Sequence, residues 1–146
     1  MGKMGMVAAI AVLLLASVAF AGAVAAKKAY QPKPDITVVK VWLEQNPNSK
    51  ELANTVAVVK NVGTATSLEN AFARVGFYRG GVYLGDEHIP ALAPGESTVV
   101  YVPHSKSFLC PPTPAPFKLT AEVSGVVDET NTANNIMSVL ASCNGL

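Results

Sequence analysis

From Ile36 onward the chain is a succession of short β-branched runs, each cut off by glycine, proline, asparagine or aspartate. No stretch of it repeats its apolar residues at the helical period. A strand shows alternate side chains to opposite faces, so each run can bury one face, and it does so by stacking sheet on sheet. The runs are Ile36–Leu43, Thr55–Lys60, Phe72–Arg79, Val82–Leu84, Ser97–Val102, Phe117–Val123 and Ile136–Ala141. In the first, Thr37, Val39, Val41 and Leu43 form the uncharged face and are expected inside. Ile36, Val38, Lys40 and Trp42 are then expected outside.

The breaks between the runs carry turn chemistry. Gly80-Gly81 is a two-residue hairpin signal, because the favoured turn needs positive φ at both central positions. Pro94-Gly95 suits a type II turn, with proline presetting φ and glycine taking the positive value. Asn46–Ser49 and Asn61–Ser67 end strands, with Gly63 read as a positive-φ position. Pro103–Pro116 holds five prolines and reads as a loop. The expected fold is all-β, an antiparallel β-sandwich of about seven strands.

Ahead of the runs lies an export signal. Lys3 opens it, Val7–Ala26 carries no charge, and small residues at Ala19, Ala21, Ala23 and Ala25 offer cleavage sites before Lys27-Lys28. Residues 1–26 are therefore read as a hydrophobic signal helix. Retention as a membrane anchor and processing after Gly5 are the alternatives. Residues 27–34 (KKAYQPKP) read as a flexible lead, and residues 35–146 as the domain. The protein is expected outside the cytoplasm: secreted, at the cell surface or in the periplasm, touching membrane only through an uncleaved N-terminal segment.

Composition narrows the function. Half of the chain is hydrophobic and 14% is charged, which excludes disorder for the bulk of it. Lys27–Leu146 has ten basic residues (11 minus Lys3) and ten acidic ones, so no excess charge recruits nucleic acid. No nucleophile elbow, phosphate loop, nucleotide fingerprint or marked carboxylate pair occurs, and the chain reads as a non-enzyme without a cofactor.

Four groups of residues carry the remaining chemistry. Cys110 and Cys143 are an even count in an exported chain and suggest a disulfide tying the proline-rich loop to the end of the last strand. Free or partner-bound thiols are the alternative; His104, the nearest histidine in sequence, has no orienting partner apparent. Asp128, Glu129, Asn131 and Asn134 are hard oxygen donors in one loop. They read as loop ties, with calcium as the alternative. Asp86 and His88 would share a strand face, and read as an exposed loop or strand end, with a metal ligand or a base as the alternative. Among the aromatics, Trp42, Tyr78 and Tyr83 are the residues expected to reach the surface and bind a partner.

The residues also carry a family likeness. Pro34–Val38, Val59–Ala65 (VKNVGTA), Leu92–Ser97 (LAPGES) and Val127–Asn135 (VDETNTANN) follow one another at a spacing that resembles the CARDB family, the cell-adhesion-related domain found in bacteria and archaea. The resemblance spans Pro34–Ala141. It implies an immunoglobulin-like sandwich on an exported or surface protein, with a role in adhesion and no catalysis. The expected function is a surface module that binds a cell-surface protein or glycan. A structural subunit of a surface filament or envelope layer is the alternative, and a small hydrolase or its inhibitor a more distant one.

Overall fold

A computed structural model describes residues 29–49, 51–70, 72–102, 107–110, 115–143 and 146. The expected signal at 1–26 and His104 lie outside the described residues. Among those described, all regular structure is β and falls in the compact unit Gln31–Leu146. The strands are β1 (Ile36–Gln45), β2 (Leu52–Asn61), β3 (Arg74–Arg79), β4 (Val82–His88), β5 (Ser97–Tyr101), β6 (Phe108–Leu109), β7 (Phe117–Ser124) and β8 (Ile136–Ala141). β6 is additional to the seven expected. It lies inside the proline-rich loop and pairs with β2 at Leu52 and Ala53.

Two antiparallel sheets result, one ordered β1-β2-β5 with β6 beside β2, the other β4-β3-β7-β8. Their inner faces meet in one core. Val41, Ala57, Val59 and Val100 from the first sheet pack with Val75, Phe77, Leu119 and Ala121 from the second. Ile89 and Leu92 close it from the β4–β5 connection. This is the two-sheet, immunoglobulin-like arrangement that the alternating runs imply.

The inward face of β1 differs from expectation. Ile36, Val38, Val41 and Leu43 are buried, and Val39 is exposed. The register slips between Val38 and Lys40, so Val39 is an extra residue without a partner on β2. A bulge of this kind moves every later side chain to the other face. Ile36 and Val38 therefore point inward ahead of it, and Lys40 and Trp42 point outward after it.

The loops at one end of the sandwich are held by Asn61, which is fully buried. Its Nδ2 donates to the carbonyls of Ala65 and Leu92, both at 2.8 Å. Its Oδ1 accepts from the amides of Gly63 (3.0 Å) and Asp35 (3.2 Å). Its backbone bonds to Gly95 and Glu96. One amide side chain thus fixes three loops, since each buried polar atom has its partner.

Gly63 is needed here for a reason other than positive φ. A Cβ on it would sit 2.5 Å from the Lys33 carbonyl oxygen and the Asp35 nitrogen. The lead is correspondingly shorter than expected. Lys33 accepts from the amides of Thr64 and Ala65, and Pro34 from that of Thr130, so both belong to the fold. The remaining turns form as their residues require. Gly80 and Gly81 take φ of 55° and 87° and join β3 to β4. Gly95 takes φ of 83°, and the Glu96 amide closes the turn onto Ala93 at 2.9 Å. The third run begins later than read: Phe72 is exposed and precedes β3, with its amide and that of Ala73 capped by Asn70 Oδ1.

Candidate binding surfaces

The acid-amide loop serves the frame. Glu129 accepts the Ile36 amide on Oε1 at 2.8 Å and the Asn135 side chain on Oε2 at 2.7 Å. Asn134 Nδ2 donates to Asp35 at 2.8 Å, and Asn131 Oδ1 accepts the Ala133 amide at 3.0 Å. Asp128 sits at a tight turn with φ of 58°. The bonds of Glu129 to Ile36 and of Asn134 to Asp35 tie the loop to the start of β1. Among the described residues no group of three or more His, Cys, Asp or Glu side chains is placed to hold a metal ion.

The candidate aromatic residues Trp42, Tyr78 and Tyr83 lie on the two outer faces. On the β4-β3-β7-β8 sheet, Tyr78 and Tyr83 are cross-strand partners with ring centroids 5.6 Å apart. Tyr78 lies across Gly76, with ring atoms 3.4 Å from the place a Cβ would take. The Tyr83 hydroxyl donates to Asp86 Oδ2, and Arg74 Nη1 pairs with Asp86 Oδ1 at 2.5 Å. The bond to Asp86 pushes the Tyr83 hydroxyl up to about 12 from 10.0. The same bond, then that from Arg74, draws the Asp86 carboxyl below its usual range. Asp86 thus braces an aromatic platform on the strand itself. His88 faces the same side and its Nε2 lies 3.0 Å from the Asn70 carbonyl oxygen.

On the β1-β2-β5 sheet the outward row is Trp42, Val56 and Tyr101. Lys40 lies over the Trp42 ring, 4.7 Å from its centroid. Trp42 is half-buried and Tyr101 exposed, while Val56 between them is fully buried although it faces outward. The structure therefore brings Tyr78 and Tyr83 together and places Trp42 on the opposite face. Sequence reasoning missed Tyr101, whose signal was its alternation with Val99 about the buried Val100.

The CARDB family model matches residues 33–139. The chain belongs to the CARDB family. A CARDB domain from Pyrococcus furiosus, whose crystal structure is described as a complex with di-metal ions, superposes with a TM-score of 0.57 at 24% identity. The match covers 77% of this chain and 96% of that one. No curated protein matches the chain.

This CARDB domain carries the disulfide Cys110–Cys143, with Cα atoms 5.6 Å apart. Cys110 follows β6 and its amide donates to Glu51; Cys143 follows β8. The bridge therefore joins one sheet to the other. Close to β6 the Arg79 guanidinium lies 4.4 Å from the Phe108 ring and 4.6 Å from that of Phe117. The two rings meet edge to face.

Proposed function

We propose that the chain is an exported, non-catalytic immunoglobulin-like module that binds at the cell surface and serves adhesion. The observation that carries this reading is the pair of aromatic platforms on opposite outer faces, while Glu129, Asn131 and Asn134 each make a bond within the domain. Rigid aromatics present contact area at low entropic cost, the property of residues that dominate binding surfaces. The reading requires no metal and no cofactor, and takes a surface protein or glycan as partner. The family supports it, being named for cell adhesion.

The test has two parts. The intact mass of the native protein, in membrane and fluid fractions, is expected to lack the first 21–26 residues or to be full length and membrane-bound. Fluorescently labelled protein is expected to bind cells of the source organism saturably. A full-length cytoplasmic protein would refute export, and absence of saturable binding would refute adhesion. A second reading, a subunit of a surface filament or envelope layer, draws on β5. Its sequence, Ser97–Tyr101, has no charge, proline or bulge to guard a sheet edge. Polymers in electron micrographs at high concentration would favour it, and a strict monomer would sink it.

A further inference from the structure

The outer face of the β1-β2-β5 sheet holds a pocket of ≈ 340 Å³ lined by Glu44, Gln45, Pro47, Asn54 and Tyr101. We propose that this pocket binds a short stretch of a neutral saccharide, an inference that rests on the surface-binding reading above and names its ligand.

The size lies at the lower end of the range for small-molecule sites, about 300–1,000 Å³. A protein partner would need a far broader contact, roughly 800 Å² on each side. The chemistry of the lining fits a sugar ring. Tyr101 is 42% exposed and walls one side. It stands in line with Trp42, two strand spacings away across Val56, so a chain leaving the pocket along this row meets a second aromatic.

The polar groups are fixed. Asn54 is 2% exposed, and its Oδ1 accepts from Asn46 Nδ2 at 3.2 Å and from Ser107 Oγ. Among the described residues no acceptor takes the Asn54 Nδ2 protons. The amide is thus held in place by protein bonds on its oxygen, with its donors left for a ligand. Glu44 is exposed, joins no ion pair among the described residues, and supplies an acceptor on the other side. A hydroxyl both donates and accepts, so sugar hydroxyls answer an amide donor and a carboxylate acceptor together. The apolar face of the ring stacks on Tyr101. A quaternary ammonium ligand would call for a cage of several aromatic rings, and among the described residues Tyr101 alone brings a ring to this pocket.

Trp42 is the chain's one tryptophan, so its fluorescence reports on this face alone. The experiment titrates the full chain with cellobiose, maltose, lactose and chitobiose, and with tetramethylammonium chloride. At least one saccharide is expected to change Trp42 emission saturably. Tyr101→Ala should weaken that binding at least about tenfold, Glu44→Gln should weaken it less, and Leu140→Ala, an exposed position in β8 of the other sheet, should leave it unchanged. Glu44→Gln alters an exposed side chain and keeps the test valid if Tyr101→Ala unfolds, a point checked by circular dichroism. No saturable response to any of the four saccharides would overturn the proposal. So would binding that survives both pocket variants, or a saturable response to the ammonium probe alone. If the chain binds intact cells while no saccharide binds, the saccharide assignment falls and the surface-binding reading stands. If it binds neither, both fall.

Discussion

Replacing Asn61 with alanine tests the claim that one buried amide holds the loop end of the sandwich together. The Asn61 side chain makes four hydrogen bonds and is fully buried. Its loss orphans the amides of Gly63 and Asp35 and the carbonyl of Ala65. Leu92 keeps a partner, because its carbonyl also accepts the Ser67 amide at 2.9 Å. At about 1 kcal/mol for each of three orphaned groups, the expected loss is about 3 kcal/mol. That is a large share of the roughly 5–15 kcal/mol that a domain has. It corresponds to a fall in Tm of about 10–15 °C. Urea unfolding followed by Trp42 fluorescence gives the number, with the m-value expected unchanged. Asn61→Asp sharpens the test. It keeps an acceptor for the two amides but turns a carboxylate oxygen toward two carbonyls. Burial and those carbonyls raise its folded pKa, so the variant should be more stable at acid pH, where a protonated oxygen can donate, than at neutral pH. A loss below about 1 kcal/mol for Asn61→Ala would refute the reasoning, since a buried group with satisfied partners costs more than that to delete.

Four further outcomes follow from the same frame. Cys110→Ser with Cys143→Ser should cost about 3–4 kcal/mol, from the chain entropy of a loop with a separation of 33 residues, as read by denaturant unfolding. Gly63→Ala forces backbone apart at Lys33 and Asp35 and should cost on the order of 1–3 kcal/mol, with faster amide exchange at Val62 and Thr64. Tyr83 should titrate at about 12 when absorbance is followed with pH, and Asp86→Asn should return it toward 10. Its folded value is raised, so the Tyr83–Asp86 bond contributes in full below pH 10 and is lost as pH rises through about 12. On the acid side the lowered Asp86 value means that the contribution holds above the usual carboxyl range and fades as pH falls through the folded value. Finally, adding calcium or a chelator should leave Tm unchanged; a rise of several degrees with calcium would show that Glu129 and its neighbours are ligands and not ties.

Much of the fold was legible because its signals are local. Gly80-Gly81 and Pro94-Gly95 dictate their own turns, and the alternation of Val75 and Phe77 with Arg74 and Tyr78 sets the faces of β3. The bulge at Val39 was illegible because it is a property of the pairing with β2, and no residue type marks it. β6 was hidden for a related reason: two residues make a strand only because β2 offers them an edge. The surfaces follow the same rule. Tyr78 and Tyr83 could be read as neighbours, since a two-residue turn joins their strands. Tyr101 could not be joined to Trp42, because residues far apart in sequence become one row only through the register of three strands. Asn61 and Glu129 read as loop residues, and their long-range bonds to the 33–36 segment appear only once both ends of the chain are folded.

The bridge between Cys110 and Cys143 has a mechanical consequence for the domain. When such a domain is pulled from its two ends until it unravels, the chain from Cys110 to Cys143, a separation of 33 residues, stays looped. The extended length is then shorter by roughly 110–120 Å, at about 3.3–3.6 Å for each residue. β7 and β8 both lie within that loop, so tension spools out the N-terminal strands and stops at the sulfurs. Reduction removes the stop and lets the full contour run out. A domain built this way has a maximum extension set by the redox state of its surroundings.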